Sequence, residues 1–89
     1  MVYVLIQSSC EDYARWRFAF DERDDIRRAA GAGDYQVFQD AADPNQITVL
    51  LTFGYIEDAQ RFMTSDDLRQ AMMRSGIVGQ PQVHFLIPA

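Results

Sequence analysis

The chain has 89 residues, 48% hydrophobic and 24% charged, with eight basic against 13 acidic residues and a net charge of −5. This composition excludes a disordered chain, and the negative field disfavours a nucleic-acid or anionic-membrane binder. A chain this short buries only about 60% of its unfolded surface. A lone cysteine, Cys10, excludes an internal disulfide, and a lone histidine, His84, offers little to a metal, so association is the expected source of extra stability.

No apolar run is long enough to cross a membrane, no leader pattern opens the chain, and a single cysteine suits a reducing compartment. A cytoplasmic protein folded as one domain over residues 1–89 is therefore expected. All eight basic residues are arginine, scattered along the expected helices, and they suggest no site.

Val2 to Gln7 is β-branched and aromatic and reads as a first strand, bounded by Ser8 and Ser9. Glu11 to Ala30 has acidic residues first, Arg27 and Arg28 last and Gly31 beyond, which is the charge order and stop signal of a helix. Tyr13, Trp16 and Phe20 share one face of it, whereas Phe18 and Ile26 fall elsewhere, so a bend near Asp21 to Asp24 or a partner on the second side is expected. Tyr35 to Asp40 forms a second strand, Asp43-Pro44-Asn45 a turn, and Gln46 to Phe53 a third strand ending at Gly54.

Helical spacing returns with Ile56, Ala59, Phe62 and Met63, but Leu68 and Met72 lie on the opposite side of an unbroken helix. A break near Thr64-Ser65 resolves this, with Ser65 as N-cap, Asp66 and Asp67 in the first turn and Gly76 as the stop. Gly76 to Pro81 reads as a connection, and Gln82 to Ile87 as the last strand before Pro88. The Gly76–Pro81 segment has no phosphate-loop residue order.

The order is β-α-β-β-α-β, and its halves match. Val4-Leu5-Ile6 answers Val49-Leu50-Leu51, Glu11-Asp12-x-x-Arg15-Trp16 answers Glu57-Asp58-x-x-Arg61-Phe62, and Gly31 answers Gly76. Two such units predict an α+β ferredoxin-like sandwich, with a four-stranded antiparallel sheet and both helical layers on one face. The Glu–Arg pairs of each half are i,i+4 helix support.

Strand parity then assigns Val2, Val4, Ile6, Tyr35, Val37, Ile47, Val49, Leu51, Phe53, Val83, Phe85 and Ile87 to the helix-covered face. The other face carries Tyr3, Leu5, Phe38, Leu50, His84 and Leu86 among Gln7, Gln36, Asp40, Thr48, Thr52 and Gln82. An apolar patch of that size predicts a homodimer whose two sheets bury it.

At this point the chain resembles the dimeric α+β-barrel superfamily, and more closely small bacterial members akin to antibiotic-biosynthesis monooxygenases and stress-responsive barrel proteins. The residues that carry the likeness are Asp12-Tyr13-x-x-Trp16-x-x-x-Phe20, Arg27-x-x-Ala30-Gly31, Asp43-Pro44-Asn45, Ser65-x-x-Leu68-x-x-x-Met72-x-x-x-Gly76 and Val78-Gly79-x-Pro81. The resemblance implies a dimeric barrel with a cleft between helices and sheet. In the monooxygenase-like members it also implies reaction of oxygen with an activated aromatic substrate, without flavin or metal. A histidine common just after the first strand in those proteins is replaced here by Ser8-Ser9.

The candidate ligand pocket is Tyr13, Trp16, Phe20, Phe62 and Met63, to be weighed against an ordinary aromatic core. His84 is the only histidine and so the first candidate for acid–base chemistry, yet parity places it on the dimer face, with Thr48, Gln7 or the partner as its expected hydrogen-bond partner. Cys10 sits near a helix start, but Glu11 and Asp12 oppose its ionisation, so an unreactive thiol is expected. Asp21-Glu22-x-Asp24-Asp25, interleaved with Arg17, Arg23, Arg27 and Arg28, reads as a solvated, salt-bridged helix face. No metal site and no cofactor is expected, and a haem-degrading set of His84, Asn45 and Trp16 is compositional only. Two functions stay open: a homodimer that binds a small apolar or aromatic molecule, and a cofactor-independent monooxygenase or cyclase on aromatic polyketide-like substrates. No catalytic base is identified for the second.

Overall fold

The β-branched and aromatic opening of the chain forms β1 (Val2–Cys10), an inner strand of a four-stranded antiparallel sheet in the computed structural model, which describes residues 1–89. There follow α1 (Tyr13–Glu22), α2 (Asp24–Ala29), β2 (Ala32–Gln39), β3 (Gln46–Phe53), α3 (Ile56–Met63), α4 (Asp66–Arg74) and β4 (Ile77–Leu86). The strand order β2-β3-β1-β4 interleaves the two halves as a ferredoxin-like fold requires. Helix α2 packs on β2, α3 on β1 and β3, and α4 on β4.

Both expected breaks in the helices are present. The first falls at Arg23 (φ −97°, ψ 12°), and the second at Thr64–Ser65, where Ser65 Oγ accepts the Leu68 N–H at 3.2 Å. Helix α1 starts one residue after Asp12, whose Oδ2 accepts the Arg15 N–H at 2.9 Å. Gly31 and Gly76 follow α2 and α4 with φ of 104° and 86°, a region that L side chains avoid, so glycine is required at both stops.

The strands depart from the sequence reading at three ends. Strand β1 continues through Ser8 and Ser9 to Cys10, because those residues pair with Ile47 and Gln46 of β3. Strand β4 starts at Ile77 rather than Gln82: across from β1 its register shifts between Gln82 and Val78, and the bulge holds Gly79 (φ 75°) and Pro81. Proline fits there because β4 is an edge strand, where one backbone donor is not needed by a neighbour. Strand β2 begins at Ala32, with an irregularity before Tyr35.

Period-two alternation builds the core. Val4, Ile6, Ile47, Val49, Leu51 and Phe53 are buried beneath Trp16, Ala59 and Phe62, and Tyr35, Val37 and Val83 pack at the margin. Phe85 and Ile87 depart from their expected place under the helices, being 40% and 73% exposed: β4 is an edge, and Ile87 lies beyond its end. On the opposite face Tyr3, Leu5 and Leu50 are half-buried, whereas Phe38, His84 and Leu86 are exposed.

Candidate functional site

Trp16, Phe20, Arg23 and Arg27 recur at intervals of four, three and four residues, so they form one stripe along α1 and α2 facing the sheet. Trp16 stacks on Phe20 with ring centroids 5.1 Å apart, and Phe20 meets Tyr35 of β2 edge-on, also at 5.1 Å. Tyr13 extends the ladder at 6.0 Å from Trp16. Beside it lies a cavity of about 70 Å³, lined by Trp16, Phe20, Arg23 and Arg27, by Ile6, Ser8, Val49 and Leu51 of the sheet, and by Phe62, Leu68, Ala71, Met72, Ser75 and Ile77 of the second half.

Of the expected pocket residues, Trp16, Phe20 and Phe62 line this cavity. Tyr13 lies outside its lining, packed on the core, and its hydroxyl accepts from Arg17 Nη1 at 3.4 Å. Met63 packs on the core and borders a separate surface groove beside α4 and Pro81. The volume is below the roughly 150 Å³ of an apolar cavity that admits benzene, so a ring enters only if flexible side chains yield. Leu68 and Met72 on α4 are half-buried and are the side chains placed to do so.

The two arginines are what the sequence reading missed. Expected on a solvated face, Arg27 is instead 5% exposed, with its guanidinium carbon 3.6 Å from the Phe20 ring centroid and 5.3 Å from that of Tyr35. Its Nη1 donates to the Phe20 carbonyl at 2.7 Å, and Asp24 lies 3.6 Å from Nη2. Burial pulls its pKa below the ordinary arginine value, against the opposing pull of Asp24, but the group stays charged. Arg23 donates to Asp67 Oδ2 at 2.9 Å, tying the α1–α2 junction to the first turn of α4. The four–three–four spacing behind Trp16 is the signal that could have placed both.

The rest of the acidic cluster does form surface pairs, Arg17 with Asp21 at 3.0 Å and Arg28 with Asp24 at 2.9 Å. In the second half Arg61 pairs with Asp58 at 3.0 Å rather than with Glu57, while Glu11–Arg15 is formed at 3.8 Å. Cys10 is buried; desolvation, then the charges of Asp12 and Asp43, push its thiol above the ordinary value. Asn45 does more than turn the chain: its Oδ1 accepts the Tyr13 N–H at 3.0 Å and its backbone carbonyl accepts the Cys10 N–H at 2.9 Å, which fixes the start of α1 against the β2–β3 turn.

His84 is exposed on the open face and lies opposite Leu5, which in turn lies opposite Leu50. Thr48 is therefore not its neighbour, and the hydrogen bond expected from it within the chain is not formed. The only titratable groups around the cavity are Arg23 and Arg27, neither of which can serve as a base at neutral pH. The arrangement can bind and orient a molecule, and it holds positive charge against an apolar wall.

No family model matches the sequence, and no curated protein is similar to it in sequence. Solved structures are similar in fold. A Bordetella bronchiseptica protein provisionally called an antibiotic biosynthesis monooxygenase superposes with a TM-score of 0.83 at 13% identity, covering 99% of this chain and 96% of that one. SnoaB from Streptomyces nogalater, a cofactor-independent oxygenase, gives 0.80 at 8% identity, covering 99% and 92%. A Deinococcus radiodurans protein with the same provisional name as the first gives 0.76 at 14%, covering 100% and 93%. The chain thus has the ferredoxin-like α+β fold of the antibiotic-biosynthesis-monooxygenase-like proteins. No helix is long and apolar enough to cross a membrane.

Proposed function

We propose that this chain is a homodimeric α+β-barrel protein that binds a small planar apolar or aromatic molecule in the cleft between helices and sheet. The observation that carries the reading is the stacked Trp16–Phe20 wall beside a cavity whose other side is the pliable Leu68–Met72 surface of α4. A ligand that binds only the folded state raises the thermal midpoint by mass action. Screening flat aromatic compounds by thermal shift with Trp16 emission should give hits that move both signals. A screen in which no compound moves either would leave the cavity as core packing and end the proposal.

The homodimer rests on the apolar part of the open sheet face, Tyr3, Leu5, Phe38, Leu50 and Leu86 around His84; Phe38 is 51% and Leu86 42% exposed in the single chain. Light scattering at micromolar concentration should give twice the chain mass of 10.2 kDa; a clean monomer would refute it. A cytoplasmic setting fits the single buried thiol of Cys10.

A second reading, a cofactor-independent monooxygenase or cyclase on aromatic polyketide-like substrates, is favoured by the likeness to SnoaB. In it Trp16 and Phe20 position the ring, and the cavity lining contributes no base. Oxygen uptake with a compound that binds would support it, and binding without turnover would favour the first reading.

A further inference from the structure

Arg27 is the one charged group of the cavity wall with a buried donor left unpartnered. Its Nη1 bonds the Phe20 carbonyl, but that carbonyl already accepts the Arg23 backbone N–H at 3.2 Å, so the fold does not need Arg27 to satisfy it. Its Nη2 is buried with no hydrogen-bond partner. The carboxylate within ion-pair distance, Asp24, stands 3.6 Å away and gives its other oxygen to Arg28 Nε at 2.9 Å. A buried cation with an open donor and a shared, distant counter-ion costs stability unless something else completes it.

The second half shows what the fold alone asks for. Arg27 stands four residues before Gly31, and the residue four before Gly76 is Met72, which lines the same cavity from the other side. Packing at that position is met by an uncharged side chain. The other cavity arginine, Arg23, is already matched by Asp67 at 2.9 Å, so Arg27, offset only by the long pair with Asp24 and by stacking on Phe20, is the less compensated cation of the wall. Arg27 lines the cavity and its Nη2, unpartnered and without accessible surface in the closed cleft, can take one carboxylate on a flat apolar body once Leu68 and Met72 move aside. A phosphate, with three oxygens to satisfy, would find too few donors. With a net charge of −5, the chain cannot attract such an acid from a distance, so recognition must come from contact.

We infer that Arg27 is the recognition group of the cleft and that its ligand is a small planar carboxylate, one oxygen accepting from Nη2 while the apolar body lies along Trp16 and Phe20. This rests on the cleft being a binding site. Leu68 and Met72 give way to admit the body, and the acid replaces the missing partner of Nη2.

The test compares matched acids and amides, benzoate with benzamide and 2-naphthoate with 2-naphthamide, by calorimetry on the wild type and on Arg27→Met, which copies the second half. The wild type should bind each acid about tenfold or more tighter than its amide, the size of one charged hydrogen bond, and Arg27→Met should lose that preference. Equal binding of acid and amide, or an acid preference that survives in Arg27→Met, would overturn the role of Arg27 and leave the cleft standing. Failure of acids and amides alike would overturn both. Should Arg27→Met not fold, the wild-type comparison still decides, together with the Arg27 side-chain nitrogen resonances, which should shift further at saturation with benzoate than with benzamide; equal shifts would overturn the role of Arg27.

Discussion

The two halves of this molecule share a frame and differ in what they put inside it. Trp16 and Phe62 occupy matching places in the repeat, and each is 6% exposed. Gly31 and Gly76 close the matching helices with positive φ. Yet the first half turns Phe20, Arg23 and Arg27 toward the cavity where the second turns Leu68, Ala71 and Met72. The lesson is that the shared positions hold the sheet and its helices together, while the positions that differ give the cleft one polar, rigid, aromatic side and one apolar, pliable side.

The largest effects should come from breaking what the halves share. Trp16→Ala and Phe62→Ala should each cost about 3–5 kcal/mol in urea unfolding, as truncation of a buried aromatic does. A large difference between the two would mean that the halves do not carry the core equally. Gly31→Ala and Gly76→Ala should follow at about 1–2 kcal/mol each, because both sites need a left-handed backbone. At Gly31 an added Cβ would also meet Asp58 Oδ2 at 3.0 Å, whereas at Gly54 it would meet nothing within 4 Å, so Gly54→Ala is the near-neutral control.

Smaller effects come from the positions where the halves differ. Arg27→Met should leave stability within about 1 kcal/mol of the parent or raise it, since a poorly compensated buried cation gives way to a side chain the other half already uses. A loss of several kcal/mol would show that Arg27 holds the fold itself.

The smallest expected effect concerns Cys10. With its pKa raised by burial and by Asp12 and Asp43, the neutral thiol favours the folded state. That contribution is complete below the ordinary thiol pKa and is lost as pH rises through the raised value. Stability above about pH 8 should therefore fall more steeply for the wild type than for Cys10→Ala, measured as urea midpoints against pH. Parallel curves would refute the assignment.

Much of the frame was legible because it is local. The internal repeat, the Ser65 cap, the break before it and the glycine stops all follow from residues a few positions apart. The strand ends were not, because pairing overrode local signals: Ser8 and Ser9 look like a boundary yet pair with Ile47 and Gln46, and Gly79 and Pro81 look like a loop yet sit in an edge-strand bulge. Phe85 was misplaced because parity gives a face but not whether a helix reaches that edge. Arg27 was misread because its charge suggests solvent, although its spacing behind Trp16 and Phe20 puts it on the buried stripe, where its guanidinium stacks on Phe20.

The most direct test of the cleft as a binding site is backbone and side-chain chemical-shift mapping of the labelled protein during titration with 2-naphthoate. The account expects shifts at the Trp16 indole, the Arg27 guanidinium and the Met72 and Ser75 amides, with the open face around Leu5, Leu50 and His84 unmoved. Shifts confined to that open face, or none at saturating ligand, would contradict it.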